Sequence, residues 1–107
     1  MRRAEVYRNV VLAGILSETG HGGFEFIYDS GYFKDTSKPG ICLSMPKTRQ
    51  RYHSELLFPF FFNMLSEGTN RLNQAKQLKI DERDFFGLLL ATAQYDTIGA
   101  ITVKKID

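Results

Sequence analysis

The sequence has 107 residues, which suits one domain and leaves no room for a second domain of ordinary size. Hydrophobic residues make up 43% of it and aromatic residues 13%, so the chain can bury a core and is not a disordered polypeptide. The net charge is +2, with basic and acidic residues interspersed. This argues against a nucleic-acid-binding module, because such modules concentrate positive charge on one face.

A single cysteine, Cys42, excludes an internal disulfide framework and fits a reducing compartment. Its neighbours Ile41 and Leu43 favour a small buried side chain over a reactive thiol. The first residues lack the apolar core of a signal peptide, and no apolar run approaches the roughly 18 residues that span a bilayer. The sequence therefore predicts a soluble, cytoplasmic protein that does not contact membranes.

Residues 4–17 predict a β-hairpin whose turn lies at Arg8-Asn9-Val10. Asn9 accepts a positive φ, whereas the β-branched Val10 does not. We therefore expect a turn longer than two residues, or a Val10 in an ordinary β conformation. The glycine-rich stretch 19–23 is interpreted as an inter-strand turn, because alternating aromatic residues typical of a strand follow it at 24–28.

The middle of the chain predicts loops around one short strand. Residues 29–40 are interpreted as a loop with turn signals at both ends, anchored to the core by Tyr32 and Phe33. Residues 41–45 predict a strand that the following proline stops. Residues 47–54 are polar and are expected to be exposed.

The stretch from Leu56 to Gly68 is rich in phenylalanine and predicts a helix over Leu57–Leu65. Pro59 is compatible only with the first turn, which places the start near Phe58, and Gly68 is a suitable stop. At about 100° per residue, the apolar side chains cover an arc of roughly 200°, about twice the stripe that one-sided packing requires. The helix is interpreted as a core helix, and a face covered by a partner is the alternative.

Two further helices and a closing strand are predicted. Residues 70–78 carry a thin apolar stripe, and residues 85–93 are apolar almost all round, which indicates near-complete burial. Asp81 is the expected N-cap of the second of these helices. A turn at 95–97 leads into a closing strand at 98–103.

No assembled active site is visible among these elements. Residues 84–87, Asp-Phe-Phe-Gly, are similar to the Asp-Phe-Gly metal-binding motif of kinases, but they carry an extra phenylalanine and lack the catalytic loop. His21 and His53 each lack further metal ligands at a suitable spacing. We predict one α+β domain over residues 1–107, a small antiparallel sheet or partial barrel of about five strands with about three helices. We expect it to bind a partner and to have no catalytic residue, cofactor or metal ion.

Three blocks of the sequence carry a family resemblance. They are residues 41–46 (Ile-Cys-Leu-Ser-Met-Pro), residues 60–68 (Phe-Phe-Phe-Asn-Met-Leu-Ser-Glu-Gly) and residues 86–101, which end in Asp-Thr-Ile-Gly-Ala-Ile. In this order they resemble the N-terminal subdomain of the HipA family of serine/threonine kinase toxins. The opening residues 6–9 and 12–14 match as well, so the resemblance covers essentially the whole chain.

The resemblance implies a non-catalytic domain. In HipA-like kinases this subdomain precedes a larger region with the nucleotide loop, catalytic aspartate and metal ligands, and we expect it here as a chain of its own. The closest parallel is the HipBST arrangement, in which the small HipS protein binds and neutralises the separate HipT kinase and a HipB-like DNA-binding protein completes the operon. The resemblance therefore implies a HipS-like antitoxin or accessory subunit of a bacterial toxin–antitoxin system, with a HipA/HipT-like kinase as its partner.

The resemblance also implies which residues bind the partner. In that family the segment after the Phe-rich helix faces the kinase active site, and a tryptophan commonly stands where this chain has Thr69, and a proline where it has Ser66. The expected partner-binding residues are Phe60, Phe62, Ser66, Glu67, Gly68 and Thr69. An essential subunit of a split kinase toxin, and a co-regulator acting through a HipB-like repressor, are the alternatives. No direct nucleic-acid contact is expected, and self-association through exposed phenylalanines is left open.

Overall fold

A computed structural model describes residues 1–93 and 100–106. Its elements are β1 (Arg3–Arg8), β2 (Val11–Glu18), β3 (Phe24–Tyr28), α1 (Ser30–Lys34), β4 (Arg51–Ser54), α2 (Pro59–Phe62), α3 (Gly68–Leu78), α4 (Phe85–Thr92) and β5 (Ile101–Ile106). The strands form one open antiparallel sheet in the order β4-β3-β2-β1-β5. The predicted α+β class is confirmed, with four helices among the described residues where about three are expected from the sequence.

β1 and β2 form the predicted hairpin, whose last pair is Arg8–Val11. The turn contains only Asn9 and Val10, at φ values of 50° and 62°. The expectation of a longer turn, or of an ordinary β conformation at Val10, is wrong. A two-residue turn with two positive φ values matches the right-handed twist of the paired strands. Val10 is 95% exposed, so no core packing constrains its branched side chain.

β5 pairs with β1 from Arg3–Ile106 to Arg8–Ile101, so the first and last strands lie side by side. This pairing carries the closing strand three residues beyond its predicted end at 103. Residues 94–99, which hold the predicted turn at 95–97 and the predicted start of the strand, lie outside the described residues.

The helix α1 replaces part of the loop predicted at 29–40. Asp29 caps this helix, because its carboxylate accepts a hydrogen bond from the backbone N–H of Tyr32 at 3.2 Å. Tyr32 is buried and Phe33 packs half-buried against the core, as predicted. The loop interpretation missed the helix because a five-residue helix has no hydrophobic period of its own.

Residues 41–45 do not form the predicted strand. They turn instead, because the hydroxyl of buried Tyr28 accepts from the Ile41 N–H at 3.0 Å and donates to the Met45 carbonyl, which draws the two ends together. Cys42 within this turn is half-buried, not fully buried as predicted. Residues 51–54, expected to be exposed, form β4 along β3, and Tyr52 enters the core at 8% exposure.

The Phe-rich helix is shorter than predicted. α2 spans only Pro59–Phe62, with Pro59 in its first turn as expected. The backbone N–H groups of Met64 and Leu65 donate to carbonyls three residues earlier, which is the tighter hydrogen-bond pattern of a 3₁₀ turn. This turn directs Leu65 into the core, where it is 6% exposed. Gly68 does not stop this helix; with a φ of 53° it begins α3.

α3 and α4 differ in how much of their surface is buried. α3 buries only Ala75, while Leu72 and Leu78 of the predicted stripe are 43% and 45% exposed. In α4 every residue from Phe86 to Leu90 is buried, as predicted, whereas Phe85, Ala91 and Thr92 at its two ends are half-buried. Within residues 1–93 and 100–106, no helix combines the length and hydropathy that a bilayer crossing requires.

The N-cap of α4 is Asp84, and the assignment of this role to Asp81 is wrong. The Asp84 carboxylate accepts a hydrogen bond from the backbone N–H of Gly87 at 3.0 Å. Asp81 accepts instead from the backbone N–H of Arg83 at 2.8 Å, within the turn that precedes the helix. Three acidic residues in four positions offer alternative caps, and burial of the residues after Asp84 selects the last of them.

The core lies on one face of the sheet. Alternate residues of β3 point to the same side, and they place Phe24, Phe26 and Tyr28 there. Phe24 contacts α4, Phe26 contacts α2 and Tyr28 contacts α1, at ring-centroid distances of 5.6, 6.1 and 6.0 Å. Three rings of one short strand therefore hold the helical layer.

Gly14 of β2 allows this packing. A Cβ at this position would meet the carbonyl oxygen of Ile27 and would lie 2.7 Å from the ring of Phe26. We expect Gly14→Ala to lower the free energy of unfolding by about 2–3 kcal/mol, because the added methyl overpacks the core. Urea unfolding followed by far-ultraviolet circular dichroism measures the change.

The matched control is Gly20→Ala, where the nearest atom to a new Cβ is the Met1 sulfur at 3.8 Å. This substitution should change the free energy of unfolding by less than about 0.5 kcal/mol. Equal stabilities of the Gly14→Ala variant and the wild type would contradict the packing described here.

A candidate interaction groove

An open groove of about 500 Å³ lies between α2, the start of α4 and the connection from β2 to β3. Its apolar walls include Leu56, Pro59, Phe62 and Phe85. Leu56 is 77% exposed, although its neighbour Leu57 is buried. The groove therefore offers apolar surface to solvent beside a well-packed core, which is the arrangement that partner-binding sites commonly have.

An aromatic pair forms one wall of the groove. The rings of Phe62 in α2 and Phe85 in α4 meet edge to face, with centroids 5.0 Å apart and an angle of 87° between the planes. The guanidinium of Arg71 in α3 lies 5.3 Å from the centroid of Phe62 and 5.4 Å from that of Phe85. This cation–π arrangement joins three helices at one point and keeps both rings in place.

An ion network involves two further residues that line the groove, Glu18 and Asp84. Arg2 donates from Nε and Nη2 to the Glu18 carboxylate at 2.7 and 2.8 Å, and from Nη1 and Nη2 to Asp84 at 2.8 and 2.9 Å. Its guanidinium also lies 5.4 Å from the ring centroid of Phe86. Arg2 thus ties the N-terminus, the end of β2 and the cap of α4 together with two-pronged charged hydrogen bonds.

Arg2 favours the ionised form of each carboxylate, and each carboxylate favours the charged form of Arg2. The hydrogen bonds from Arg2 lower the pKa of the Glu18 carboxyl and that of the Asp84 carboxyl. The bonds to Glu18 and then to Asp84 raise the pKa of the Arg2 guanidinium. All three groups therefore stay charged at neutral pH, and the cap of α4 keeps its acceptor.

Of the six expected partner-binding residues, one lines the groove. Phe62 lines it, whereas the half-buried Phe60 packs against the ring of Phe61 at 5.2 Å and does not. The others follow α2 in the chain: Ser66 is half-buried, and Glu67, Gly68 and Thr69 are exposed at the start of α3. The structure thus brings one of the six residues, Phe62, into the groove. Three others are exposed at the start of α3.

Sequence reasoning missed several residues of this surface. Phe85 was assigned only to the interior of a helix, but it is the half-buried first residue of α4 and faces the groove. The sequence contains no pattern that predicts a role for Arg71 or Arg2, because their contacts form between elements that are separate in the chain. The signal that the sequence does carry is the wide apolar arc of the Phe-rich helix, which includes Phe62.

Other candidate chemistry is not assembled. The Asp-Phe-Phe-Gly stretch caps and begins α4, with Asp84 bound to Arg2. His21 and His53 line a second depression with Thr19, Gly23 and Glu55. Across residues 1–93 and 100–106, no group of three histidine, cysteine or acidic side chains has the geometry to hold a metal ion.

Three comparisons with known proteins each find a match that covers most or all of this chain. A family model described as the HipA N-terminal domain matches residues 4–104. A protein of Haemophilus influenzae, described as uncharacterized, is 30% identical over 105 residues, which cover 98% of this chain and 93% of that protein. A solved structure of the N-terminal domain of HipA toxin superposes with a TM-score of 0.75 at 28% identity, covering 100% of this chain and 94% of that one.

The Arg2 network predicts a pH-dependent contribution to stability. At pH 7, Arg2→Gln should lower the free energy of unfolding by about 1–2 kcal/mol, a value reduced from that of a buried pair because the three side chains are partly exposed. The pKa values of Glu18 and Asp84 are lower in the folded state than in the unfolded state. Their contribution is therefore present above about pH 4 and is lost as pH falls through the folded pKa values.

Urea unfolding at pH 7 and at pH 3 measures this difference. The gap between Arg2→Gln and the wild type should narrow at the lower pH. Arg3→Gln, an exposed neighbour, is the control and should show a small gap at both pH values. A gap for Arg2→Gln that stays constant with pH would show that the carboxylates are not its cause.

Proposed function

Because the chain belongs to the HipA N-terminal domain family, we propose that it is a non-catalytic binding component of a toxin–antitoxin system, a HipS-like antitoxin or accessory subunit that docks on a HipA/HipT-like serine/threonine kinase. The family match over residues 4–104 carries this proposal. The Haemophilus influenzae relative adds support, because 93% of its length aligns with this one domain. A domain of this kind is thus not restricted to the front of a kinase.

The groove and the segment after it form the proposed docking surface. Phe62 and the exposed Leu56 supply apolar side chains, and aromatic anchors of this kind carry much of the binding energy in interfaces. Glu67, Gly68 and Thr69 extend the surface beyond α2 and are open to a partner. Phe60 and Ser66, both half-buried, complete it at the edge.

The sign of the effect on the kinase separates this proposal from its nearest rival. A HipS-like antitoxin lowers kinase activity, whereas an essential subunit of a split kinase raises it. The groove geometry is compatible with docking in both cases, and the parallel with HipS favours inhibition. A co-regulator would act instead on DNA binding by a HipB-like repressor, which a mobility-shift assay with and without this chain detects.

Leu56→Ser tests the docking surface with little risk to folding, because 77% of the leucine is exposed. We expect its dissociation constant for the kinase encoded beside this chain to rise about tenfold, as expected for loss of an apolar anchor. Phe62→Ala should have a larger effect on binding, together with a loss of stability through its contact with Phe85. Calorimetric titration gives the affinity, and autophosphorylation gives the sign of the effect.

Leu78→Ser is the matched control, because this leucine is 45% exposed and lies at the far end of α3. It should bind as the wild type does. If the wild type forms no complex with the kinase in size-exclusion chromatography and leaves autophosphorylation unchanged, the proposed function is wrong.

Thr69→Trp tests the segment after α2. The resemblance places a tryptophan at this position, and Thr69 is exposed, so the larger side chain does not disturb the core. We expect the variant to bind the kinase several-fold more tightly and to shift autophosphorylation further in the same direction as the wild type. Gln77→Trp, at an exposed position near the far end of α3, controls for a non-specific gain from an added tryptophan. Affinity unchanged from the wild type would place this segment outside the interface, and weaker binding would show that a tryptophan does not fit the partner at this position.

A further inference from the structure

The segment between α1 and β4 has no regular secondary structure, yet hydrogen bonds from side chains fix it. Three tyrosine hydroxyls donate to its backbone carbonyls: Tyr28 to Met45, Tyr32 to Pro39 at 2.7 Å and Tyr52 to Pro46. Lys47 donates to the carbonyls of Asp35 and Lys38 at 2.6 and 2.8 Å. These bonds replace the backbone ladder that a helix or a strand would provide.

The hydroxyl of Tyr28 holds the tip of this segment. It bonds both Ile41 and Met45, and the side chains of these two residues are buried at 7% and 2% exposure. Burial raises the pKa of Tyr28 to about 12, so the donor is present at every physiological pH. The turn at 41–45 is therefore held at both ends by one core side chain.

Leu43 stands at the tip of this turn and is 100% exposed. A single exposed leucine on a surface needs no explanation by itself. Here, however, the backbone on both sides is fixed, so a partner that buries this side chain loses little conformational entropy of the loop. Preorganisation of this kind increases affinity for a given contact area.

The charge of the sequence that flanks the tip indicates the partner's chemistry. Residues 34–51 contain five lysines and arginines and one acidic residue, which gives a net charge of +4. The whole sequence has a net charge of +2, so the remaining residues together have a net charge of −2. Lys34 and Arg49 are exposed within this segment. A complementary surface has an apolar pocket with carboxylates around it. A protein fits better than a nucleic acid, because the tip residues Leu43 and Ser44 offer no aromatic ring for base stacking.

The tip and the groove belong to the same layer of the domain. Phe24 contacts α4 at the groove, and Tyr28 holds the tip from the same face of β3. Phe24 and Tyr28 are four residue steps apart along the strand, a distance of about 13 Å. A protein interface of ordinary size covers about 800 Å² on each partner, which is enough to include both places.

We propose that Leu43 is a second anchor for the kinase partner, and that it enters an apolar pocket framed by carboxylates on that partner. The inference rests on the proposed function and adds to it a second contact, separate from the groove and from residues 66–69. The basic residues that flank the tip in the sequence steer the approach, and the turn held by Tyr28 presents the leucine.

Leu43→Ser is the test, measured by calorimetric titration against the kinase encoded beside this chain. Because Leu43 is fully exposed, the variant should melt at the wild-type temperature. Its dissociation constant should rise about tenfold. The double variant Lys34→Glu/Arg49→Glu should lower the association rate constant several-fold at low ionic strength, and added salt should reduce this difference.

The outcomes separate the two proposals. If the wild type does not bind the kinase, the proposed function and this inference both fail. If Leu56→Ser weakens binding and Leu43→Ser does not, binding at the groove is supported and the proposal of Leu43 as a second anchor is refuted. Faster association of the charge-reversed variant would refute the acidic pocket. Binding to phosphatidylserine vesicles or duplex DNA that is lost in Leu43→Ser, with kinase affinity unchanged, would refute the choice of a protein partner.

Discussion

The alternation of aromatic side chains along β3 is the constraint on which the rest of the structure depends. Phe24, Phe26 and Tyr28 lie on one face because successive strand residues point to opposite sides. Each ring serves a different part of the helical layer: α4 at the groove, α2 in the centre, and α1 with the clamped turn. Both surfaces proposed to bind the partner therefore take their positions from the same five residues of strand.

Elements with a strong local pattern could be predicted from the sequence. The hairpin of β1 and β2, the strand β3 and the buried helix α4 carry their signal in short apolar periods. The elements that were missed are held by distant contacts. β4 follows from pairing with β3, and the turn at 41–45 follows from the Tyr28 hydroxyl, neither of which a local pattern contains. α2 ends early because Leu65 enters the core, which depends on tertiary packing.

The candidate surface was only partly predictable for the same reason. Phe62 stood out as part of an apolar arc too wide for one-sided packing, and the structure places it in the groove. Phe85 and Arg71 join it across helices that are separate in the sequence, so no spacing rule links them. Leu43 was interpreted as part of a strand, where alternate side chains are buried, and its exposure follows only from the turn that replaces that strand.

The pairing of β5 with β1 has a consequence for synthesis on the ribosome. β1 leaves the exit tunnel long before β5, which is one of its two neighbours in the sheet. Arg2 likewise cannot form its hydrogen bonds to Asp84 until that residue emerges, some eighty residues later. Until then the nascent hairpin has an unpaired edge that can pair with other extended chains. The sheet is thus complete only after β5 emerges, and chaperones that shield strand edges can bind the hairpin before that point.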